Sequence, residues 1–420
     1  MAYKQVRLGD YFKFEKGLGY KGEFLAEESD VALIGMDSHE EGGGGYKEGS
    51  EKPYVGPYKP EHVAEVGDVI FAATEQGFGL LASPLMVPES DKFQTYIYSH
   101  HVLKAFPIKE GFLPEYLYNI FRIDRFRSRA AYGDTGTTVR ALPAEVLEEQ
   151  FVPLPDVPTQ QAINDLISMI DQQIANNKAL SKSLEMLAQA MFKSWFIDFD
   201  PVLAKSKGNK PFGMDDATAA LFPSTVEKSE IGEIPRGWRV VSLNEVCDIR
   251  QGRYLSPNQM DLIPTEAARV PVIGGNGILG FTSKSTFEFP VPLITCRGSK
   301  CGLLQWGAYP SWISNNAMAV TFKHNPRDNG FLMQLFKTLN FDDVITGSAQ
   351  PQITITHLGT LEFVMPPFEL LSHFTNTLNS SQELIESVNL SSRTLDDLLS
   401  SILPNLIDGK IDIPEELIAS

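Results

Sequence analysis

Apolar positions recur at 3-and-4 spacing across residues 158–199, at Ile163, Leu166, Ile170, Leu180, Leu184, Leu187 and Met191, with Gln173 and Asn177 filling the two middle places of the seam. That spacing predicts one long helix with a coiled-coil face, and such a face needs a partner. Residues 371–402 supply one in the same pattern: Leu371, Phe374, Leu378, Ser381, Ile385, Val388, Ser392, Leu395, Leu399 and Ile402, again interrupted by polar residues. Elsewhere the apolar runs are short, β-branched and aromatic (VALIGM, DVIFAAT and YIYSHHVLKAF, then VPVIGG, VPLITC and MAVTF), and Gly, Pro and Asn separate them. This predicts irregular mixed sheet with a few helices, among them residues 114–129 and 330–340.

The pattern occurs twice. VRLGDYFKFEKG (6–17) returns as VSLNEVCDIRQG (241–252), IFAATEQGFGLL (70–81) as LITCRGSKCGLL (293–304), Ser99-His100-His101 as Ser314-Asn315-Asn316, and Gly136-Thr137 as Gly347-Ser348. The offset shrinks from 235 through 223 and 215 to 211 residues, so the first copy carries longer loops. Each copy closes with a short strand ending in proline (FVPLP, 151–155; FVMPP, 363–367) and then a long helix. A repeat of about 200 residues is a duplicated domain, because solenoid repeats run to about 20–50 residues.

The expected organisation is a first domain over 1–155, the central helix over 156–200, a Lys-, Ser-, Gly- and Pro-rich linker over 201–235, a second domain over 236–365, and a C-terminal helix and tail over 366–420. A chain of 420 residues has ample core for two or three domains. The start, MAYKQVRLGDYF, lacks an apolar signal region, and no apolar run approaches the roughly 20 residues of a membrane span. A cytoplasmic protein with no membrane partner is expected. Three cysteines, Cys247, Cys296 and Cys301, are too few for a disulfide framework and poorly spaced for zinc, so buried thiols are expected.

Net charge is −17, with 16 Lys and Arg against 24 Asp and Glu in residues 1–155 and 2 against 9 in residues 366–420. A free-standing, non-specific DNA binder is normally basic. Any DNA role therefore calls for a partner with positive surface or for small local basic patches.

Familiar catalytic patterns are missing: there is no Walker phosphate loop, no HExxH and no GxSxG elbow. GLGYKG (17–22) fits GxGxxG, but EFLAEESD follows it in place of an amphipathic helix, so it reads as a loop, as does Gly42–Gly45. MPPF (365–368) matches an amino-methyltransferase tetrad only in its last three places, and Met cannot accept hydrogen bonds from a target amine as Asn or Asp would. A proline stop between strand and helix accounts for it. His100-His101 is the one adjacent pair among seven histidines. Neighbouring strand residues point to opposite faces, and a metal site would not tolerate exchange for Asn315-Asn316 in the other copy. A surface that reads hydrogen-bond donors and acceptors tolerates it, since Asn and Gln suit adenine edges and Arg or Lys guanine edges. Thr74 and Gln76 opposite Arg297 and Ser299, with Lys300 adjacent, show the same matched scaffold with different polar tips.

The order of these segments, with FKSWFIDFDP (192–201), IPRGW (234–238) and PTQQAI (158–163), resembles the DNA-specificity (S) subunit of type I restriction-modification enzymes over essentially the whole chain. PPFELL (366–371) is a looser form of the central helix start. The resemblance implies an α+β fold: two mixed α/β target-recognition domains joined by two long antiparallel helices that form a coiled-coil rod, with an internal pseudo-twofold repeat. It implies a non-catalytic subunit that reads a bipartite, asymmetric double-stranded DNA site with one domain per half-site. Two methyltransferase subunits carrying S-adenosylmethionine would dock on the helices, and restriction subunits would join them. No cofactor, metal or catalytic residue is expected on this chain.

Base-reading candidates are Thr74, Gln76, Ser99, His100 and His101 in the first domain, and Asn276, Arg297, Ser299, Lys300, Ser314, Asn315 and Asn316 in the second. Thr135, Thr137, Thr138 and Arg140, with Ser348, Gln350 and Gln352, are candidates for base or backbone contacts at the domain edges. The aromatic run Phe192, Trp195 and Phe196 is expected to pack the helix end against its own domain. Competing readings are a self-contained restriction or methyltransferase enzyme, and a coiled-coil interaction protein without a DNA role.

Overall fold

Two long helices, Val157–Phe192 and Phe368–Ile407, run through a computed structural model that describes residues 3–40, 45–47, 49–75, 79–131, 140–287, 289–307, 309–347 and 350–414. The chain divides into two units, Met1–Asn177 with Leu390–Ser420, and Lys178–Asn389, so the boundary falls inside both helices.

In the first unit the strands Phe12–Lys16, Val102–Pro107, Val69–Ala72 and Pro84–Met86 form an antiparallel sheet in that order. Lys4–Arg7 pairs antiparallel with Phe151–Leu154, and Val31–Ile34 pairs parallel with Thr95–Tyr98. The second unit repeats each relation. Cys247–Gln251, Ala317–Phe322, Val291–Thr295 and Leu304–Gly307 make the sheet, Arg239–Ser242 pairs with Glu362–Met365, and Val270–Gly274 pairs parallel with Trp312–Ile313. The sequence repeat is therefore a repeat of strand order and register, and the fold is α+β as expected. Continuous apolar runs such as VIFA and VPLIT are central strands buried at every position, which is why they do not alternate.

Each unit closes its core on one end of each long helix. In the first, Ile163 and Ile167 of the central helix meet Leu399, Leu403 and Ile407 of the C-terminal helix beside Phe12, Phe71 and Phe121. In the second, Phe192 and Phe196 pack edge-to-face or tilted against Phe331 and Phe374, with ring centroids 4.9–5.9 Å apart. The helices thus pair antiparallel within each unit, and the aromatic run packs against its own domain.

The seam of the C-terminal helix lies where its spacing predicts, with Leu371, Phe374, Leu378, Ile385, Val388, Ser392 and Leu399 buried. The central helix differs at every second place. Ile163, Ile174, Asn177, Ser181 and Ala188 are buried, whereas Gln173, Leu180 and Leu187 are exposed. The seam therefore steps 163, 167, 170, 174, 177, 181, 184, 188, and small or polar residues (Asn177, Ser181 and Ala188) fill three of its buried places. Ser181 Oγ donates to Asn389 Oδ1 at 3.1 Å, and Asn177 Nδ2 donates to Ser391 Oγ at 3.4 Å.

Two further expectations are corrected. The helix expected over 114–129 is two, Pro114–Phe121 and Asp124–Ala131, because Arg127 Nη1 takes the terminal carbonyls of the first, Phe121 at 2.8 Å and Arg122 at 2.6 Å. The central helix ends at Phe192 in a π turn, Lys193–Ile197, before the short helix Asp200–Ser206. The stretch 201–235 also carries the helix Asp216–Ala220 and the hairpin Val226–Ser229 with Gly232–Pro235, and Val202 and Phe222 are buried in the second unit's core. Pro366-Pro367 separates strand Glu362–Met365 from the C-terminal helix, the stop the sequence indicates. Among the described residues no helix is long and apolar enough to cross a membrane.

Candidate nucleic-acid interface

The same backbone corner is built in both units. Gly17 lies so close to the strand ending at Tyr98 that an added Cβ would sit 2.0 Å from the Tyr98 carbonyl oxygen. Its counterpart Gly252 would place a Cβ 2.2 Å from the Ser314 oxygen and 2.5 Å from that of Ile313. Only glycine permits this approach. The corner then turns over a buried serine: Ser99 N donates to Ile34 O at 2.9 Å and Ser314 N to Ile273 O at 2.9 Å. Ser99 Oγ accepts from His101 N at 3.4 Å, and Ser314 Oγ from Asn316 N at 3.5 Å. Ser99 and Ser314 are 0% and 5% exposed, so they hold each turn from beneath, below the reach of a base. The next loop is tied in by Ala73 N to His101 O at 2.9 Å in the first unit and Cys296 N to Asn316 O at 2.8 Å in the second.

His100 and His101 occupy that turn in the first unit. They are not on opposite faces of a strand. Their ring centroids are 3.9 Å apart, because the turn lets successive side chains lie side by side. His101 Nδ1 lies 3.1 Å from Thr74 Oγ1, and Thr74 Oγ1 also points at Met36 Sδ. Burial, then the nearby His100, Lys52 and Lys16, hold the His101 pKa below the usual imidazole value, with Asp37 opposing. Arg140 is placed differently from its expectation. Its Nη1 donates to Glu75 Oε1 at 2.6 Å and its Nη2 to Ala131 O at 3.1 Å, so its guanidinium is committed to the fold. Gln76, Thr135, Thr137 and Thr138 lie outside the described residues.

In the second unit four loops converge. Thr295 Oγ1 donates to Gly275 O at 2.7 Å, which fixes the hairpin turn bearing Asn276. Gly298 N donates to Pro351 O at 3.2 Å, and Arg297 bridges Gln352, which brings 297–300 beside 350–352. Asn276, Arg297, Ser299, Lys300, Asn316, Gln350 and Gln352 are exposed on this edge and Asn315 is half-buried; Ser348 lies outside the described residues. Arg297 and Lys300 form no ion pair among the described residues, so both cationic side chains are open to solvent on this edge.

Gln251, Arg253 and Tyr254 were not among the sequence candidates. Arg253 N donates to Ile313 O at 2.9 Å, Gln251 Nε2 donates to Asn315 O at 2.8 Å, and all three residues are exposed. The signal that finds them is the Gly17–Gly252 match, since whatever flanks a close-approach glycine lies against the Ser-x-x turn. Of the cysteines, Cys247 and Cys296 are buried, and burial pushes Cys247 up to about 12, which suits a core thiol. Among the described residues no group of three or more His, Cys, Asp or Glu is placed to hold a metal.

Residues 235–389 match the family described as Type I restriction modification DNA specificity domain. The chain is 22% identical to the Type I restriction enzyme HindI specificity subunit of Haemophilus influenzae, over 84% of this chain and 89% of that one. It is also 22% identical to the MjaVIII specificity subunit of Methanocaldococcus jannaschii, over 98% of this chain and 93% of that one. In fold it is similar to the crystal structure of a Type-I restriction-modification system S subunit from M. genitalium, with a TM-score of 0.59 at 14% identity, covering 98% of this chain and 97% of the other.

Proposed function

We propose that the chain is a specificity subunit of a type I restriction-modification enzyme and that it reads a bipartite, asymmetric DNA site with one unit per half-site. The observation that carries this reading is the twice-built corner: one backbone frame, with His100 and His101 at its tip in one copy and Asn315 and Asn316 in the other. Equal frames with unequal hydrogen-bonding tips are suited to reading two different base sequences.

In this proposal the chain itself is non-catalytic. Methyltransferase subunits carrying S-adenosylmethionine dock on the long helices and supply the chemistry, and restriction subunits join that assembly. Exposed apolar side chains on both helices support docking there: Met169, Met186 and Leu187 on the central helix, Leu390 and Leu398 on the C-terminal one. Net acidity fits as well, because partners would supply positive surface around the duplex.

The test is to assemble the chain with a type I methyltransferase partner, select from a randomised duplex library, and map the methylated adenines by sequencing. Two fixed base blocks separated by an unspecified gap are expected. Absence of any preferred sequence, or methyl transfer by this chain alone, would overturn the proposal.

A further inference from the structure

The tip of the first unit's corner has a defined hydrogen-bonding polarity. His100 is exposed, and its Nδ1 lies 3.3 Å from the carbonyl oxygen of Leu18, which also accepts the His100 backbone N–H at 2.9 Å. A carbonyl oxygen only accepts, so Nδ1 carries the proton, and in the neutral ring Nε2 keeps a bare lone pair. Among the described residues Nε2 has no hydrogen-bond partner. The ring is held in place by the His101 ring, with centroids 3.9 Å apart, and by Tyr20 at 6.1 Å. Burial is the chief cause that lowers the pKa of the neighbouring His101. This is a single acceptor, exposed at the turn's tip and oriented in advance by the backbone and by tilted ring contacts.

We propose that His100 determines specificity in the first half-site, with Nε2 accepting a hydrogen bond from an exocyclic base amine in the major groove. The inference rests on the DNA-reading function proposed above. Adenine N6 and cytosine N4 both offer that amine, whereas guanine and thymine present acceptors at the corresponding edge and would face the lone pair unfavourably. The counterpart in the second unit, Asn315, has an amide that both donates and accepts, so the two tips select by different rules.

The experiment uses the chain assembled with its methyltransferase partner and compares selected sites for the wild type, His100→Ala, His100→Phe and His100→Lys. The wild type is expected to require adenine or cytosine at one position of one half-site. His100→Ala and His100→Phe should relax that position about tenfold while the other half-site, an internal control for folding, is unchanged. His100→Lys, with donors only, should shift the preference toward guanine or thymine. If the position selects adenine, a purine lacking the 6-amine should cost the wild type about tenfold and the Ala variant nothing; for cytosine the arm is a pyrimidine lacking the 4-amine. A wild-type preference that His100→Phe retains at every position would overturn the assignment and leave the DNA-reading function standing. A wild type with no preference would instead remove that function.

Discussion

Arg140 and Glu75, 65 residues apart, form a 2.6 Å ion pair in which the carboxylate is 2% exposed and also accepts the backbone N–H groups of Leu80 and Leu81 at 2.8 and 2.9 Å. The pair ties the strand Arg140–Ala141 to Thr74–Glu75 at the edge of the first unit's corner. Removing one partner leaves a buried charge uncompensated. Arg140→Ala is expected to destabilise the first unit by about 3 kcal/mol or more in denaturant unfolding. Arg297→Ala, at an unpaired exposed arginine, should move stability by less than about 0.5 kcal/mol while relaxing one half-site. Equal stability losses in the two variants would count against this division of roles.

Gly252→Ala should damage the second unit selectively. Its Cβ would meet backbone oxygens at 2.2 and 2.5 Å, which cannot rotate away, so the Ser314–Asn316 turn has to move. A loss of about 2 kcal/mol or more is expected, with base preference weakened in one half-site and kept in the other. A variant of native stability and unchanged preference would show that the close approach is dispensable.

His39 gives the first unit an acid-sensitive point. It is fully buried, with Nδ1 3.2 Å from Gly35 O and Nε2 3.3 Å from Ile70 O. Burial pushes its pKa down from 6.5 to about 4 against the pull of those carbonyls. The unfolded chain therefore binds the proton more readily, and stability falls as pH drops from about 6.5 toward 4, by up to about 3 kcal/mol. Comparing unfolding of the wild type and His39→Gln at pH 7.5 and pH 5 checks this, since the variant should lose less stability on acidification. A parallel decline in both would assign the acid sensitivity elsewhere.

The polar seam predicts an asymmetry between two neighbouring amides. Asn177 is buried between the long helices, whereas Gln173 is exposed and donates to Asn177 Oδ1 at 3.0 Å. Asn177→Leu should raise stability by about 1 kcal/mol and weaken the register between the helices. Gln173→Leu should leave both within about 0.5 kcal/mol of the wild type. Denaturant midpoints of the two variants decide between this seam and one that passes through residue 173.

How far the sequence alone reached differs from feature to feature, for physical reasons. The long helices, the repeat and the frame glycines were legible because each is a local signal: apolar spacing along one helix, or a small residue recurring at a constant place. The phase of the central seam was not, because Leu166 and Ile167, Gln173 and Ile174, Leu180 and Ser181, and Leu187 and Ala188 offer two nearly equal stripes. Packing against the C-terminal helix breaks the tie. Polar candidates were legible as a cluster and illegible one by one. Ser99, His100 and His101 are consecutive, yet one lies under the turn and two lie on it.

By itself the sequence determined that the chain is duplicated, that two helices need each other, and that two matched frames carry different polar residues. Tertiary structure alone decided which of those residues are spent inside the fold, as Ser314 and Arg140 are, and which present hydrogen-bonding atoms outward, as His100 and Arg297 do. The deciding partners, Glu75 for Arg140 and Leu18 for His100, lie 65 and 82 residues away along the chain, and only folding brings them within hydrogen-bond distance.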